Sequence, residues 1–366
     1  MKRQLLAGMT ALTLLLTPGC SAMLNRDYVD VTTHNTTSPT TEGDPSTLRA
    51  ESYQELVNAL IYFINQGVET GTVRLYMDSE SVEDDLEQAC LEVSHEDALG
   101  AYAVEYIKYS VNSVVTYEQA DVQIAYRRTK EQIASIVSVT GTTAIRSELK
   151  SALTDFAPEQ VLRISYFDGD ADYILELVRE AYYAAPAAAL GMPQAEIHIY
   201  PDSGRQRIVE ILLTYPLDSA ELGQRRDLLE QKAQSLTHPL TSLKGDAALL
   251  AAAKTVLNAG GYRTSGGSTA YDALLTGGAN SEGLALAMAL LCQELGVEFQ
   301  VVSGTLEGEP RFWTVVSTQE GWRHLDPSRS AEQENPLYSD DQMEAAGYIW
   351  DRDAVPACTA PEQDAD

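Results

Sequence analysis

Basic residues are scarce in this chain. Lysine and arginine number 25 against 54 aspartates and glutamates, for a formal charge of −29 and a pI near 4.4. Neutralising phosphates needs concentrated lysine and arginine, so nucleic acid is excluded as a partner, and so are anionic polymers and charge-driven contact with anionic membranes. The acidic residues are scattered rather than blocked, which reads as a solvated negative surface. Cysteine is scarce too, with only Cys20, Cys90, Cys292 and Cys358. If Cys20 is set aside, an odd number at irregular spacing is no disulfide framework. No C-x-x-C or H-x-x-x-H spacing occurs among these cysteines and the five histidines, so no zinc site is expected. Asp168-Gly169-Asp170-Ala171-Asp172 could begin a calcium loop. Such a loop needs glycine and a bidentate glutamate where Tyr173 and Arg179 stand, and acids before a helix serve equally as caps. No metal and no cofactor is expected. Long apolar runs are missing as well: Leu5–Leu16 falls short of the roughly 20 residues that span a bilayer.

That short run has another reading. Lys2 and Arg3 precede it, and Leu16-Thr17-Pro18-Gly19-Cys20 follows. Charged start, apolar stretch and small-residue end are the parts of a secretion signal. The final five residues resemble a bacterial lipobox, although Thr17 stands where that motif usually has leucine. The resemblance implies a signal peptide over 1–20, a lipid on Cys20, and an extracytoplasmic protein held at a bacterial cell membrane, as on a Gram-positive surface. Its membrane partner would then be reached through the N-terminal lipid. Residues 21–50 include Thr32–Thr47, rich in Thr, Ser, Asn and Pro, and read as a flexible tether.

The body is expected to be α+β. Glu55-Leu56-Val57-Asn58-Ala59-Leu60 is echoed by Glu148-Leu149-Lys150-Ser151-Ala152-Leu153, and each string sits in an amphipathic helix. A strand follows each (Thr72–Met77, Val161–Phe167), then an acidic turn, a second helix (Val82–Val93, Tyr173–Ala184) and two alternating strands. In the second copy Pro201-Asp202-Ser203-Gly204 marks the hairpin turn. Two small α-β-α-β-β modules, 51–140 and 141–216, are therefore expected to share one strand order. A helical connector, 217–262, is stopped by Gly260-Gly261. A further domain is expected over 263–353, and a disordered tail over 354–366.

Within that domain, Gly278–Gly304 (GANSEGLALAMALLCQELGVEFQVVSG) is followed by Arg311–Val316 (RFWTVV) and Gly321–Ser328 (GWRHLDPS). This run resembles the transglutaminase-like superfamily, whose papain-like core carries a Cys-x-Gly turn opening a helix, a His-Ala-Trp strand and a strand ending in aspartate. The resemblance places Ser281 at the cysteine, Arg311 at the histidine and Asp326 at the aspartate. Two of the three chemical positions are thereby changed. A serine hydroxyl needs a base to become a nucleophile, and a guanidinium stays protonated and cannot be one. Asn280 and Ser281 are both N-cap residue types, so Ser281 is expected to cap its helix rather than to react. Arg311 and Asp326 are expected to form a charge-assisted, bidentate pair.

The resemblance thus implies a catalytically degenerate domain, with no catalytic residue, that binds a polypeptide or cell-wall ligand or acts as a scaffold. Asn280, Glu282, Trp313, Trp322 and His324 would line its cleft. An alternative is an amide or ester hydrolase in which Ser281 works with His324, two residues from Asp326 and on the same strand face. His198 and His238 lie far from these motifs and read as structural. The oligomeric state is not legible.

Overall fold

The computed structural model describes residues 39–41, 44, 46–78, 81–243, 245–329 and 336–359. The signal peptide, Cys20 and most of the tether lie outside the described residues.

The first module begins with β1 (Thr40–Thr41), β2 (Thr47–Ala50), α1 (Tyr53–Gln66) and β3 (Thr70–Leu75). It continues through α2 (Val82–His95), α3 (Ala98–Ala103), β4 (Val104–Val114) and β5 (Tyr117–Tyr126). Local chemistry sets α1: the Ser52 side chain accepts from the Glu55 N–H at its start, and Gly67 closes it at φ 64°, where only glycine is unstrained. Leu56, Val57, Leu60, Phe63 and Ile64 form its buried stripe, at the helical spacing of an amphipathic face.

After α4 (Lys130–Ala134), the second module runs β6 (Val137–Val139), α5 (Thr142–Thr154), β7 (Glu159–Ile164), α6 (Ala171–Tyr183), β8 (Gln194–Tyr200) and β9 (Arg207–Thr214). The Asp170 side chain accepts from the Tyr173 N–H at 2.9 Å, so this acid caps α6.

The sheets run β1-β2-β3-β5-β4 and β6-β7-β9-β8. β2 pairs parallel with β3, and β6 with β7, while the remaining neighbours are antiparallel. The two modules therefore share strand order and orientation apart from the small β1. Each has one more parallel strand in front of the expected α-β-α-β-β unit, and the first module also adds β1 and the short helix α3. β2 has four residues and β6 three, too short for alternation to register. With Leu48 and Ala50 fully buried, 47–50 belongs to the sheet and not to a tether.

The modules pack through α3. The Tyr102 ring meets Tyr200 edge-on at 5.6 Å, Arg128 lies over Tyr102 and pairs with buried Glu210 at 2.7 Å, and Val161 and Ile208 join the first module's core.

Next come α7 (Ser219–Thr237), α8 (Asp246–Gly260), β10 (Tyr262–Gly267), α9 (Ser281–Leu295), β11 (Phe299–Leu306), β12 (Glu309–Thr318) and β13 (Gly321–Leu325). β14 (Leu337–Tyr338), α10 (Asp340–Ala345) and β15 (Tyr348–Trp350) complete the fold. The last sheet is antiparallel, ordered β14-β13-β12-β11-β15. Leu284, Leu286, Met288, Leu290 and Leu291 of α9 are at most 1% exposed. A helix apolar all round belongs in a core, and α9 lies between that sheet and the helices α7 and α8. Leu229, Ala233, Leu249, Ala252 and Val256 share its cluster. The expected connector is thus a layer of this domain. The expected disordered tail is packed over its first part: Cys358 is 1% exposed, and its N–H donates to Asp340 Oδ2 at 3.1 Å. Residues 360–366 lie outside the described residues.

Candidate functional site

Helix α9 opens the site. Asn280, not Ser281, is its cap, accepting from the Gly283 N–H at 3.0 Å. Ser281 is the first helical residue, and its Oγ accepts from the Phe312 N–H at 3.2 Å. A strand amide has taken the hydroxyl, a tertiary contact that helix-cap preferences do not register. Gly283 has a steric reason: a Cβ there would come within 2.8 Å of the Gly267 carbonyl oxygen and 2.9 Å of that of Thr269. The loop before α9 can cross over the helix start only because the side chain is missing.

Arg311 and Asp326 meet in the interior, with side chains 9% and 2% exposed. Arg311 Nε donates to Asp326 Oδ2 at 2.9 Å, and Nη2 lies 2.8 Å from the same oxygen. The expected fork onto both oxygens is not formed. Asp326 Oδ1 is already used by the Ser328 N–H at 2.9 Å and the Ser328 hydroxyl at 2.6 Å. Tyr348 donates to Oδ2 at 2.7 Å, Arg311 Nη2 also donates to Ser328 Oγ, and the guanidinium lies 4.8 Å from the centre of the Tyr262 ring. Burial acts to lower the Arg311 pKa, but the Asp326 carboxylate outweighs it and holds the pKa above the ordinary value. Arg311 is therefore a permanent cation, with no proton to exchange near neutral pH.

His324 lies elsewhere. It stands opposite Val315 in the β12–β13 ladder, while α9 contacts the other face, where Thr314 Oγ1 donates to the Ala285 carbonyl at 3.1 Å. Its imidazole is fully buried. Trp313 Nε1–H donates to His324 Nδ1 at 2.9 Å. An indole N–H only donates, so the neutral ring carries its proton on Nε2 and gives it to Asp340 Oδ1 at 2.8 Å. Both nitrogens are thus engaged on the far side of the sheet from Ser281. Burial lowers the His324 pKa, against the opposing effect of Asp340. His324, Asp340 and Cys358 bring three donor atoms within 4.8 Å of one another. Nε2, with its proton fixed by the Trp313 hydrogen bond to Nδ1, offers hydrogen rather than a lone pair. This donor set does not fit a metal.

The expected cleft residues separate. Trp313 and His324 are fully buried, because alternation along β12 and β13 turns both into the small core with Val315, Met343 and Tyr348. Trp322 lines a different hollow, beside Arg226 and Phe299. Asn280 and Glu282 remain at the helix start. Glu282 is covered by a residue that no sequence signal marks: the Tyr183 hydroxyl of α6 donates to Glu282 Oε1 at 2.9 Å, and the Tyr183 ring lies 5.8 Å from Phe312. Burial raises the Glu282 pKa, partly offset by this hydrogen bond. His198, by contrast, is a half-exposed neighbour of Glu196 at 3.1 Å. Ser328 could have been suspected from its place two residues after Asp326, whereas Tyr183, Tyr262 and Tyr348 are brought in by tertiary packing alone.

Residues 230–327 match the family model of the transglutaminase-like superfamily, a span that includes the C-terminal part of α7 and all of α8. No curated protein matches the chain. Among solved structures, one described as a TGase is 16% identical, covering 52% of this chain and 57% of its own length at a TM-score of 0.29. A protein from Cytophaga hutchinsonii, proposed to be a cysteine protease, is 15% identical over 40% of this chain and 65% of its own, with a TM-score of 0.26. A proposed protease from Parabacteroides distasonis is 9% identical over 73% of this chain and 41% of its own, with a TM-score of 0.22. The chain thus spans less than two thirds of each of these structures.

Proposed function

We propose that the transglutaminase-like domain carried by this chain is catalytically silent and serves to bind a polypeptide or cell-envelope ligand. The observation that carries this reading is the Arg311–Asp326 pair. It fills the place where the family resemblance puts a histidine and its aspartate; its guanidinium is no base, and the Asp326 carboxylate is already taken by Arg311, Ser328 and Tyr348. Acyl transfer through a serine needs a base within about 2.6–3.2 Å of the hydroxyl. The hydroxyl of Ser281 instead accepts from a backbone N–H, and His324 is committed to Trp313 and Asp340. The chain would act outside the cytoplasm, tethered to the cell membrane by lipid on Cys20.

The test is activity of the purified protein against fluorogenic amide and ester substrates, and against glutamine-donor peptides with an amine acceptor. Background rates identical in wild type and Ser281→Ala are expected. Turnover abolished by Ser281→Ala would overturn the reading. Chemical cross-linking of the soluble body to envelope fractions should, in parallel, capture a polypeptide or wall fragment.

A further inference from the structure

Two hollows of about 730 and about 780 Å³ meet between the second module and the last sheet. Both include Lys150 of α5, Ala184 just after α6, and Phe299 of β11, so together they form one continuous groove. One wall is α5 and α6, with Arg146, Arg179 and Tyr183. The other is the strand edge Phe299–Ser303.

That edge is incomplete. β15 pairs with β11 only from Gly304 to Leu306, and among the described residues no strand pairs with the outer edge of Phe299–Ser303. After Trp350 the chain forms no backbone ladder with this edge among the described residues; Asp351, Ala354 and Val355 border the same hollow, and the Gln300 side chain donates to the Ala354 carbonyl at 2.8 Å. An unpaired run of backbone N–H and C=O groups is a template for an extended chain, and an added strand here would continue the ladder that β15 begins.

Charge selects what that strand should carry. Arg146 is paired with Glu180 and Arg179 with Glu176, while Arg226 reaches the Thr154 carbonyl and Asp227. Lys150, exposed where the two hollows join, has no carboxylate partner among the described residues. The same lining carries Glu230, Glu298 and Asp351, so Lys150 is an unmatched cation in a largely acidic surround, the point at which an acidic side chain can be set without meeting only like charge.

We infer that this groove takes an extended polypeptide, added as a strand to the free edge of β11, with an aspartate or glutamate side chain set against Lys150. The inference rests on the polypeptide-binding reading above and names its site and the chemistry of its partner.

The probe is an immobilised array of octapeptides of alternating valine and threonine, with one glutamate or one lysine stepped through the positions. The full chain should be retained by glutamate peptides at a preferred register. Lys150→Ala should weaken retention by up to about five-fold, the upper end for one exposed ion pair, and Lys150→Glu should shift preference to the lysine peptides. The best octapeptide should slow amide exchange within 299–303. Retention indifferent to the sign at position 150, or protection that maps elsewhere, overturns the strand-edge site while polypeptide binding stands. Retention of none of the peptides also overturns it, and the envelope cross-linking then judges the broader reading separately.

Discussion

Removing one partner of the Arg311–Asp326 pair should cost far more than removing both. With side chains only 9% and 2% exposed, each charge depends on the other for compensation. Breaking such a pair by deleting one member typically costs about 3–5 kcal/mol. For Arg311→Ala the lower end is expected, because the stranded carboxylate keeps the Ser328 N–H, the Ser328 hydroxyl and the Tyr348 hydroxyl as donors. A loss of about 3 kcal/mol corresponds to roughly 6–12 °C in Tm, at 2–4 °C per kcal/mol for a protein of a few hundred residues. Asp326→Ala should cost at least as much, since Arg311 would then keep Ser328 as its remaining hydrogen-bond partner. The double variant Arg311→Met/Asp326→Leu removes both charges and restores apolar volume, while leaving the Ser328 and Tyr348 donors without Asp326, and should cost less than either single variant. Urea and thermal unfolding of wild type, Arg311→Met, Asp326→Leu and the double variant form a double-mutant cycle. Single variants that lose under about 1 kcal/mol, or a double loss equal to the sum of the singles, would show that the pair is solvated and that the buried-pair argument is wrong.

Other outcomes follow from the same geometry. Gly283→Ala places a methyl against the Gly267 and Thr269 carbonyls and should destabilise by about 1–3 kcal/mol, as overpacking does, measured by urea unfolding. Glu282 has a raised pKa, so the stability it contributes is present at acidic pH and lost as pH rises through that raised value. Glu282→Gln should therefore match wild type below the ordinary glutamate range and exceed it at neutral pH in a Tm-against-pH series; the opposite sign would refute the assignment. Burial depresses the His324 pKa, so its contribution is full above about pH 6.5 and shrinks as pH falls below that, a slope that His324→Gln should remove. Cys20→Ala should release the protein from the membrane fraction into the soluble one, and unchanged membrane fractionation would remove the lipid anchor.

The parts legible in sequence were those governed by local rules. Periodicity marked α1 and α6, the family resemblance and its cap residues marked α9, and the echoed strings around Leu56 and Leu149 pointed to two modules that share one strand order. Arg311 and Asp326 could be paired in advance because spacing across a hairpin sets which residues face each other. What stayed hidden depends on the third dimension. β2 and β6 are too short to show a period. Ser281 yields the cap to Asn280 because a strand amide from 31 residues downstream claims its hydroxyl. Trp313 and His324 carry functional residue types, yet strand alternation turns them into a closed core. Tyr183, 99 residues from its partner Glu282, has no signature at all.

The central claim is that Ser281 is not a nucleophile. Intact-mass analysis after incubation with a fluorophosphonate, which phosphonylates activated serines with loss of fluoride, tests it most directly. We expect the mass to remain that of the unmodified chain, in wild type and Ser281→Ala alike. A stoichiometric adduct that maps to Ser281 and disappears in Ser281→Ala would contradict it.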